Sequence, residues 1–219
     1  MDNRFNFHQS LDLLQKDLLD MGNNVARLIR QAVESLARLD ESLARQTIEA
    51  DDQIDEMTAR IEEDSLRLIA LQQPMASDLR IISMALKIAT DLERIADHAV
   101  DIAKICIRLN GQELVKPLED IPRMAELTQN MLQESLLAYT ERDVHRAAAL
   151  AEKDDEVDKL YSVIVNDIIM LMGTDFAKNR QLSQLMLAAH FLERVADHST
   201  NIGEGVIFMV TGKRKDLNV

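Results

Sequence analysis

Apolar residues recur at intervals of three and four along almost the whole chain, and strict alternation of apolar and polar positions is absent. That spacing puts an apolar stripe on each of a series of amphipathic helices and patterns no segment as a strand. Six long helices are predicted, over about Phe7 to Leu39, Asp40 to Leu71, Asp78 to Leu109, Leu118 to Thr140, Asp143 to Gly173 and Ala177 to Val210. Asp40 and Asp143 are expected N-caps, because a short carboxylate accepts from the free N–H groups of a first helical turn. "QQPMASD" breaks the pattern at Pro74. Pro122 falls in a first turn, where its missing N–H is tolerated. "NGQELVKP", Asn110 to Pro117, is the one linker in the middle of the chain.

The pattern repeats. Moved by 103 positions, Asp40 lands on Asp143, "DDQID" (Asp51 to Asp55) lands on "DDEVD" (Asp154 to Asp158), and Ile54, Met57, Ile61 and Leu68 land on Val157, Leu160, Ile164 and Leu171. Moved by 100, "LERIADH" (Leu92 to His98) lands on "LERVADH" (Leu192 to His198), and Arg80 lands on Arg180. The change of offset shortens the second inter-helix turn by about three residues. A period this long exceeds a solenoid unit. It predicts an all-α chain of two tandem, pseudo-symmetric three-helix bundles: residues 1–109, a linker at 110–117, residues 118–210, and a polar tail at 211–219.

Composition fits this picture. Apolar residues make up 47% and charged residues 29% of the 219 positions, with only 6 Gly and 3 Pro, so the chain is globular and rich in helix formers. The 11 Met are expected at helix interfaces. The net charge of −13 repels nucleic acid and anionic lipid and attracts cations and basic surfaces. "KRK", Lys213 to Lys215, reads as a solubilising tail. The single cysteine, Cys106, lies in an apolar run and is expected to be buried and inert. The N-terminus lacks a basic start and a long apolar run, so no signal peptide is expected, and no stretch is apolar enough to span a membrane. A cytosolic protein is expected.

The repeated segments carry the candidate chemistry. Residues four apart share a helix face, about 40° apart. Asp51 with Asp55, Glu93 with Asp97, Asp154 with Asp158, and Glu193 with Asp197 are four such pairs, one on the second and one on the third helix of each half. Asp101 extends the row in the first half; Asn201 replaces it in the second, where Glu204 continues the row. Two readings stand. The acids are solvated faces neutralised by Arg94 and Arg194, since like charges four apart cost only about 0.2–0.5 kcal/mol. Or facing carboxylates from two antiparallel helices converge on a cation. Carboxylate sites in bundles hold iron or manganese, and oxygen-only sites suit Mg, Ca or Mn. His98 and His198 point about 100° away from the neighbouring aspartates, toward another helix or solvent. Glycine loops, C-x-x-C and G-x-S-x-G are absent, and Gly203 and Gly205 read as close-packing positions.

The segment "QQPMASDLRIISMALKIATDLERIADHAVDIAK", Gln72 to Lys104, resembles the signature of the PhoU family of bacterial phosphate-signalling regulators. The family pattern P-x-A-x-D-L-R, then L-K-I, then D-L-E-R-I-G-D-H is met by Pro74, Ala76, Asp78 to Arg80, Leu86 to Ile88 and Asp91 to His98. Ala96 and Ala196 stand where the family often has Gly, and Phe191 stands where the first copy has Asp91. The resemblance implies two three-helix bundles related by a pseudo-twofold axis. It implies iron or zinc clusters on Asp51, Asp55, Glu93, Asp97, Asp154, Asp158, Glu193 and Asp197, with Asp101 and Glu204 as further donors. Lys104, the counterpart of Glu204, makes the first site less acidic. It implies a non-enzymatic negative regulator of phosphate uptake and the phosphate regulon. Such a regulator binds a sensor histidine kinase and the ATPase of the phosphate ABC transporter. It is peripheral at the inner membrane through those partners and forms a homodimer. A carboxylate-bridged metalloenzyme and a metal-buffering helical scaffold are the alternatives.

Overall fold

The computed structural model describes residues 2–173 and 176–217; Asn218 and Val219, the last two residues of the expected polar tail, lie outside them. The described residues form helices and connecting turns: α1 (Asp2–Arg38), α2 (Glu41–Glu49), α3 (Asp51–Gln72), α4 (Ala76–Leu109), α5 (Asp120–Glu141), α6 (Val144–Ala148), α7 (Leu150–Met172) and α8 (Asn179–Thr211), with a 3₁₀ turn at Phe176–Lys178. α1, α3 and α4 pack as one bundle and α5, α7 and α8 as another.

The corner between the first and second arm of each half is built twice from the same backbone. Leu39 and Arg142 adopt left-handed φ values of 51° and 55°. Asp40 N–H then donates to the Ser35 carbonyl (2.9 Å) and Asp143 N–H to the Ala138 carbonyl (3.0 Å), which ends the preceding helix in a Schellman turn. The same two aspartates cap the next helix: Asp40 accepts from Leu43 N–H at 3.0 Å, and Asp143 from His145 N–H at 2.8 Å and Arg146 N–H at 3.0 Å. One residue thus closes one helix with its backbone and opens another with its side chain.

The arms predicted as single helices from Asp40 and Asp143 are each interrupted once, at Ala50 and Ala149. Both alanines keep near-helical angles (φ −74°, ψ −11° and φ −70°, ψ −11°), and both still donate four residues back, to Gln46 and His145. The interruptions are shallow bends within an arm, so six arms remain. No glycine or proline marks them, which is why periodicity passes over them. At the other end of α3, Gln73 takes a left-handed φ of 46° before Pro74, and α4 begins at Ala76, two residues earlier than predicted. α5 begins at Asp120, two residues later, with Pro122 in its first turn.

The two bundles meet along α4 and α8, which run antiparallel. Arg80 donates to the Met209 carbonyl at one end (3.0 Å), Asp91 meets His198 in the middle (3.0 Å), and Arg108 donates to Gln184 at the other end (3.2 Å). α1 packs against α5 beside them. Gly205 lets α8 approach: a Cβ there would lie 2.1 Å from Met84 Cε. Gly203 is equally tight on the other side, with Leu150 Cδ1 at 2.5 Å and the Ala147 carbonyl at 3.1 Å from a built Cβ. Both glycines are thus close-packing positions, and buried methionines such as Met21, Met84, Met124 and Met131 fill the helix interfaces. Cys106 is buried and donates to the Ser35 carbonyl at 3.2 Å, and burial pushes its thiol pKa up.

The duplicated histidines face this seam. His98 stacks on Phe191 (ring centroids 5.6 Å apart, 22° between planes) and lies 5.7 Å from the His198 ring. His198 pairs with Asp91, whose second oxygen is buried without a hydrogen-bond partner. Where one half presents an acid to the opposing histidine, the other presents an aromatic ring. Removing one member of a largely buried hydrogen-bonded pair leaves the other without its partner. Asp91→Ala is therefore predicted to cost about 2 kcal/mol in a urea unfolding measurement. A loss below about 0.5 kcal/mol, the range of an ordinary surface change, would show that the pair does not hold the seam.

Candidate metal centre

The acidic pairs lie on the outer faces of α4 and α8, away from the seam, each opposite a pair on the neighbouring helix. α3 runs antiparallel to α4, so Asp51 comes opposite Asp97, whose charge it feels, and Glu93 comes opposite Asp55, whose charge it feels. α7 repeats this against α8, with Asp154 sensing Asp197 and Glu193 sensing Asp158. Asp51 is the first residue of α3, just past the bend at Ala50. Asp154 sits further in, at the fifth residue of α7, and is buried.

These carboxylates are held in an unfavourable state. Burial pushes the Asp51 pKa up to about 6; Asp55, Asp97 and Asp52 add to it, while Lys104 opposes it. Burial pushes Asp154 up to about 6 as well, with Asp158, Asp197 and Glu193 adding and a hydrogen bond from the Thr200 hydroxyl (3.3 Å) opposing. Glu93, Glu193 and Asp158 are raised too, each mainly by burial. Each groove thus gathers negative charge beyond what its own cations neutralise.

Those cations are few. Arg94 reaches Asp97 at 3.1 Å and Arg194 reaches Asp197 at 2.6 Å, both along one helix and on the solvent side. His190 Nδ1 comes within 3.4 Å of Glu193. Lys104 lies 3.3 Å from Asp101, so the first groove carries a lysine inside its acidic row. In the second half Glu204 takes that lysine's place in the repeat, but its carboxylate accepts from Leu217 N–H at 2.8 Å and faces the returning C-terminal segment. The Asp197 side chain is 23% exposed and Asp97 47%, which makes the second groove the less solvated. That groove is an open cavity of about 520 Å³ lined by Glu152, Asp154, Asp155, Asp158, Glu193 and Asp197. Sequence spacing brought the four pairs together correctly by face; Asp101 and Glu204 stand at the groove ends with partners of their own.

Among the described residues, no three His, Cys, Asp or Glu side chains stand close enough together to grip an ion as they are posed. The donor chemistry nevertheless fits a cation. Each groove offers two facing carboxylate pairs, and burial first, then the neighbouring acids, raises the pKa values of Asp51 in one and of Asp154, Asp158 and Glu193 in the other. An all-oxygen set suits a hard divalent ion, and carboxylates projecting from facing helices also hold iron and manganese in bundles. Asp51, Asp55, Glu93 and Asp97 would be the donors in one groove and Asp154, Asp158, Glu193 and Asp197 in the other. His98 and His198 are turned into the seam. Burial first, with His198 and Arg194 adding to it, lowers the His98 pKa to about 4.

Asp91 and Phe191 are the residues that motif reading did not place. Both join the seam, and the signal was the mismatch between the two copies at this position.

Fold and grooves together define a class: a duplicated all-helical protein with two related acidic grooves flanking a central antiparallel helix pair. The model of the PhoU domain matches residues 18–106 and 121–206, one match in each half. A protein of Clostridium acetobutylicum described as a phosphate-specific transport system accessory protein PhoU homolog is 42% identical over 213 residues, covering 97% of both chains. A Streptococcus pneumoniae protein of the same description is 33% identical over 98% of this chain and 100% of its own. The crystal structure of PhoU from Pseudomonas aeruginosa superposes with a TM-score of 0.89 at 35% identity, over 94% of this chain and all of the other. That of the phosphate transport system regulatory protein PhoU from S. pneumoniae gives 0.86 at 31%, over 96% and 99%. The chain belongs to the PhoU family.

The raised carboxylates set a pH dependence. A folded pKa above the ordinary value means that the stability linked to Asp51 and Asp154 is fully present below about pH 4 and is lost as pH rises through about 6. In metal-free buffer, the Asp51→Asn, Asp154→Asn double variant is predicted to lose less stability than the parent between about pH 4 and pH 7. Urea midpoints measured across that window test it, and parallel curves for the two proteins would contradict it.

Proposed function

We propose that this protein restrains phosphate uptake and phosphate-responsive gene expression by binding partner proteins, with cations on its carboxylate grooves, and that it is not an enzyme. The observation that carries this reading is the 42% identity, over nearly the whole of both chains, to a relative described as an accessory protein of the phosphate-specific transport system. The partners in this reading are the ATPase of the phosphate ABC transporter and a phosphate-sensing histidine kinase. The protein works in the cytoplasm as a homodimer and reaches the inner membrane through them. Two observations support recruitment by partners. No helix among the described residues is long and apolar enough to cross a membrane, and a net charge of −13 favours a basic protein face over an anionic lipid surface.

Residues 1–109 and 118–210 each contribute one cation-binding repeat, joined by 110–117 and followed by the tail at 211–219. A bound cation, by neutralising facing carboxylates, would tie α3 to α4 and α7 to α8. The residues themselves orient the oxygens: Arg94 and Arg194 hold Asp97 and Asp197 from the solvent side, and Thr200 holds Asp154 from within. Iron or zinc, as in the family, and Mg, Mn or Ca all fall within what carboxylates bind.

Glu93→Ala is predicted to lower bound metal in the first half and Asp197→Ala in the second, each leaving the other groove loaded. Elemental analysis of the purified variants reads this directly. Full metal content in both would return the acids to the role of solvated faces.

In cells grown in ample phosphate, deleting the gene is predicted to raise phosphate-starvation transcripts several-fold, and restoring the chain is predicted to lower them again. Transcript levels unchanged by the deletion would instead favour a metal-buffering scaffold.

A further inference from the structure

The chain is strongly acidic, yet one cleft in it is basic. Arg80 and Lys87 of α4, together with Arg214 and Lys215 of the C-terminal segment, line a cavity of about 430 Å³ between the start of α4 and the end of α8. Arg80, Ser83 and Lys87 recur at three and four, so one face of α4 presents a guanidinium, a hydroxyl and an ammonium in a row. The segment after α8 turns back toward the bundle at its end, while residues 211–216, Lys213 to Lys215 among them, stay exposed. Leu217 is buried, and its N–H is held by Glu204. That return carries Arg214 and Lys215 to the cleft, with Arg214 5.9 Å over the Phe208 ring.

Among the described residues these cations have no carboxylate partner. Arg80 donates to the Met209 carbonyl and Arg214 lies over Phe208, while Lys87 and Lys215 have no polar partner among the described residues. Elsewhere Arg38, Arg45, Arg67, Arg94, Arg146 and Arg194 all reach acids. The acidic groups in the cleft lining are Glu204, engaged by Leu217, and Asp216. In a chain with 38 acidic residues, four cations gathered without a carboxylate partner make a local excess of positive charge.

The duplication supplies a control. At the opposite end of the α4–α8 seam, Arg180 and Ser183 repeat Arg80 and Ser83, but Leu187 stands for Lys87. There the linker occupies the place of the tail, tied down by Gln181, which accepts from Val115 N–H at 2.6 Å and donates to the Glu113 carbonyl at 3.0 Å. Arg108 is spent on Gln184. Among the described residues, the end with Arg80 gathers four cations without an acid partner, whereas at the other end Leu187 stands for Lys87 and Arg108 is bonded.

We infer that this cleft binds a phosphate-bearing anion, with Arg80, Ser83, Lys87, Arg214 and Lys215 as its donors. Guanidinium and ammonium groups on opposing walls match the several oxygens of a phosphoryl group. The cavity is larger than one phosphate, and Met84 and Phe208 form an apolar wall. Free inorganic phosphate and an organic phosphate with a flat apolar group therefore share the same recognition chemistry.

The test is isothermal titration of the metal-free full chain, in chloride buffer, with inorganic phosphate, pyrophosphate and adenosine monophosphate. Removing metal keeps phosphate captured through a cation in the acidic grooves from counting. Saturable binding is expected. Lys87→Glu and Lys215→Glu should each weaken it about 10- to 100-fold, the size of a lost charge-assisted hydrogen bond, whereas Lys16→Glu, an equal charge change on α1, should leave it unchanged. Lys87 and Lys215 are exposed and make no hydrogen bond or ion pair among the described residues, so the variants are expected to fold as the parent does. Tighter binding of inorganic phosphate assigns the free anion as the source; tighter binding of adenosine monophosphate assigns an organic phosphate. Either supports the site. No saturation by any of the three below about 10 mM, or undiminished binding in both lysine variants, would overturn it.

Discussion

The antiparallel contact of α4 with α8 is the constraint on which the rest of the molecule depends. Each helix is the third arm of its own bundle, so each must bury one face against α1 or α5, another against α3 or α7, and a third against the other. Three buried faces leave only a narrow outward strip for charge. The heptapeptide written twice is the solution. Leu92, Ile95 and Ala99, like Leu192, Val195 and Ser199, are buried, the histidine points into the seam, and the acids take the remaining strip. A helix that met a single neighbour would leave those acids well solvated. Here they are confined beside a second row of acids on α3 or α7.

That confinement has an electrostatic consequence. Carboxylates on an isolated helix repel weakly, but two rows facing each other across half-buried ground repel through less screening. Burial is the main cause of the raised pKa values of Asp51 and Asp154, the facing acids add to it, and the arginines on the solvent side answer only part of that repulsion. The two grooves are not equal. Lys104 partly neutralises the first, while the second is more enclosed and has no lysine in its lining. Duplication fixed the architecture of the grooves, and single substitutions then separated their properties.

Helix content, the tandem repeat, both aspartate caps and the facing of the acidic pairs were legible in the sequence, because each is written in residue type and spacing. Other features were not. Leu39 and Arg142 adopt a left-handed conformation usually marked by glycine, so the Schellman turns that place Asp40 and Asp143 carry no composition signal. Ala50 and Ala149 bend their arms without a breaker residue. The course of Arg214 and Lys215 depends on Leu217 finding a buried site and Glu204 finding its N–H, a long-range pairing that periodicity cannot express. Asp91 and Phe191 read as noise between two copies until the seam showed them filling one role in two ways.

The central claim is that the facing carboxylates are a pair of cation sites related by the pseudo-twofold axis. Anomalous diffraction from crystals of the protein loaded with manganese or zinc measures this most directly. The account predicts anomalous peaks in two places, one among Asp51, Asp55, Glu93 and Asp97 and one among Asp154, Asp158, Glu193 and Asp197. Peaks found only at other surface carboxylates, with both grooves holding water alone, would contradict it.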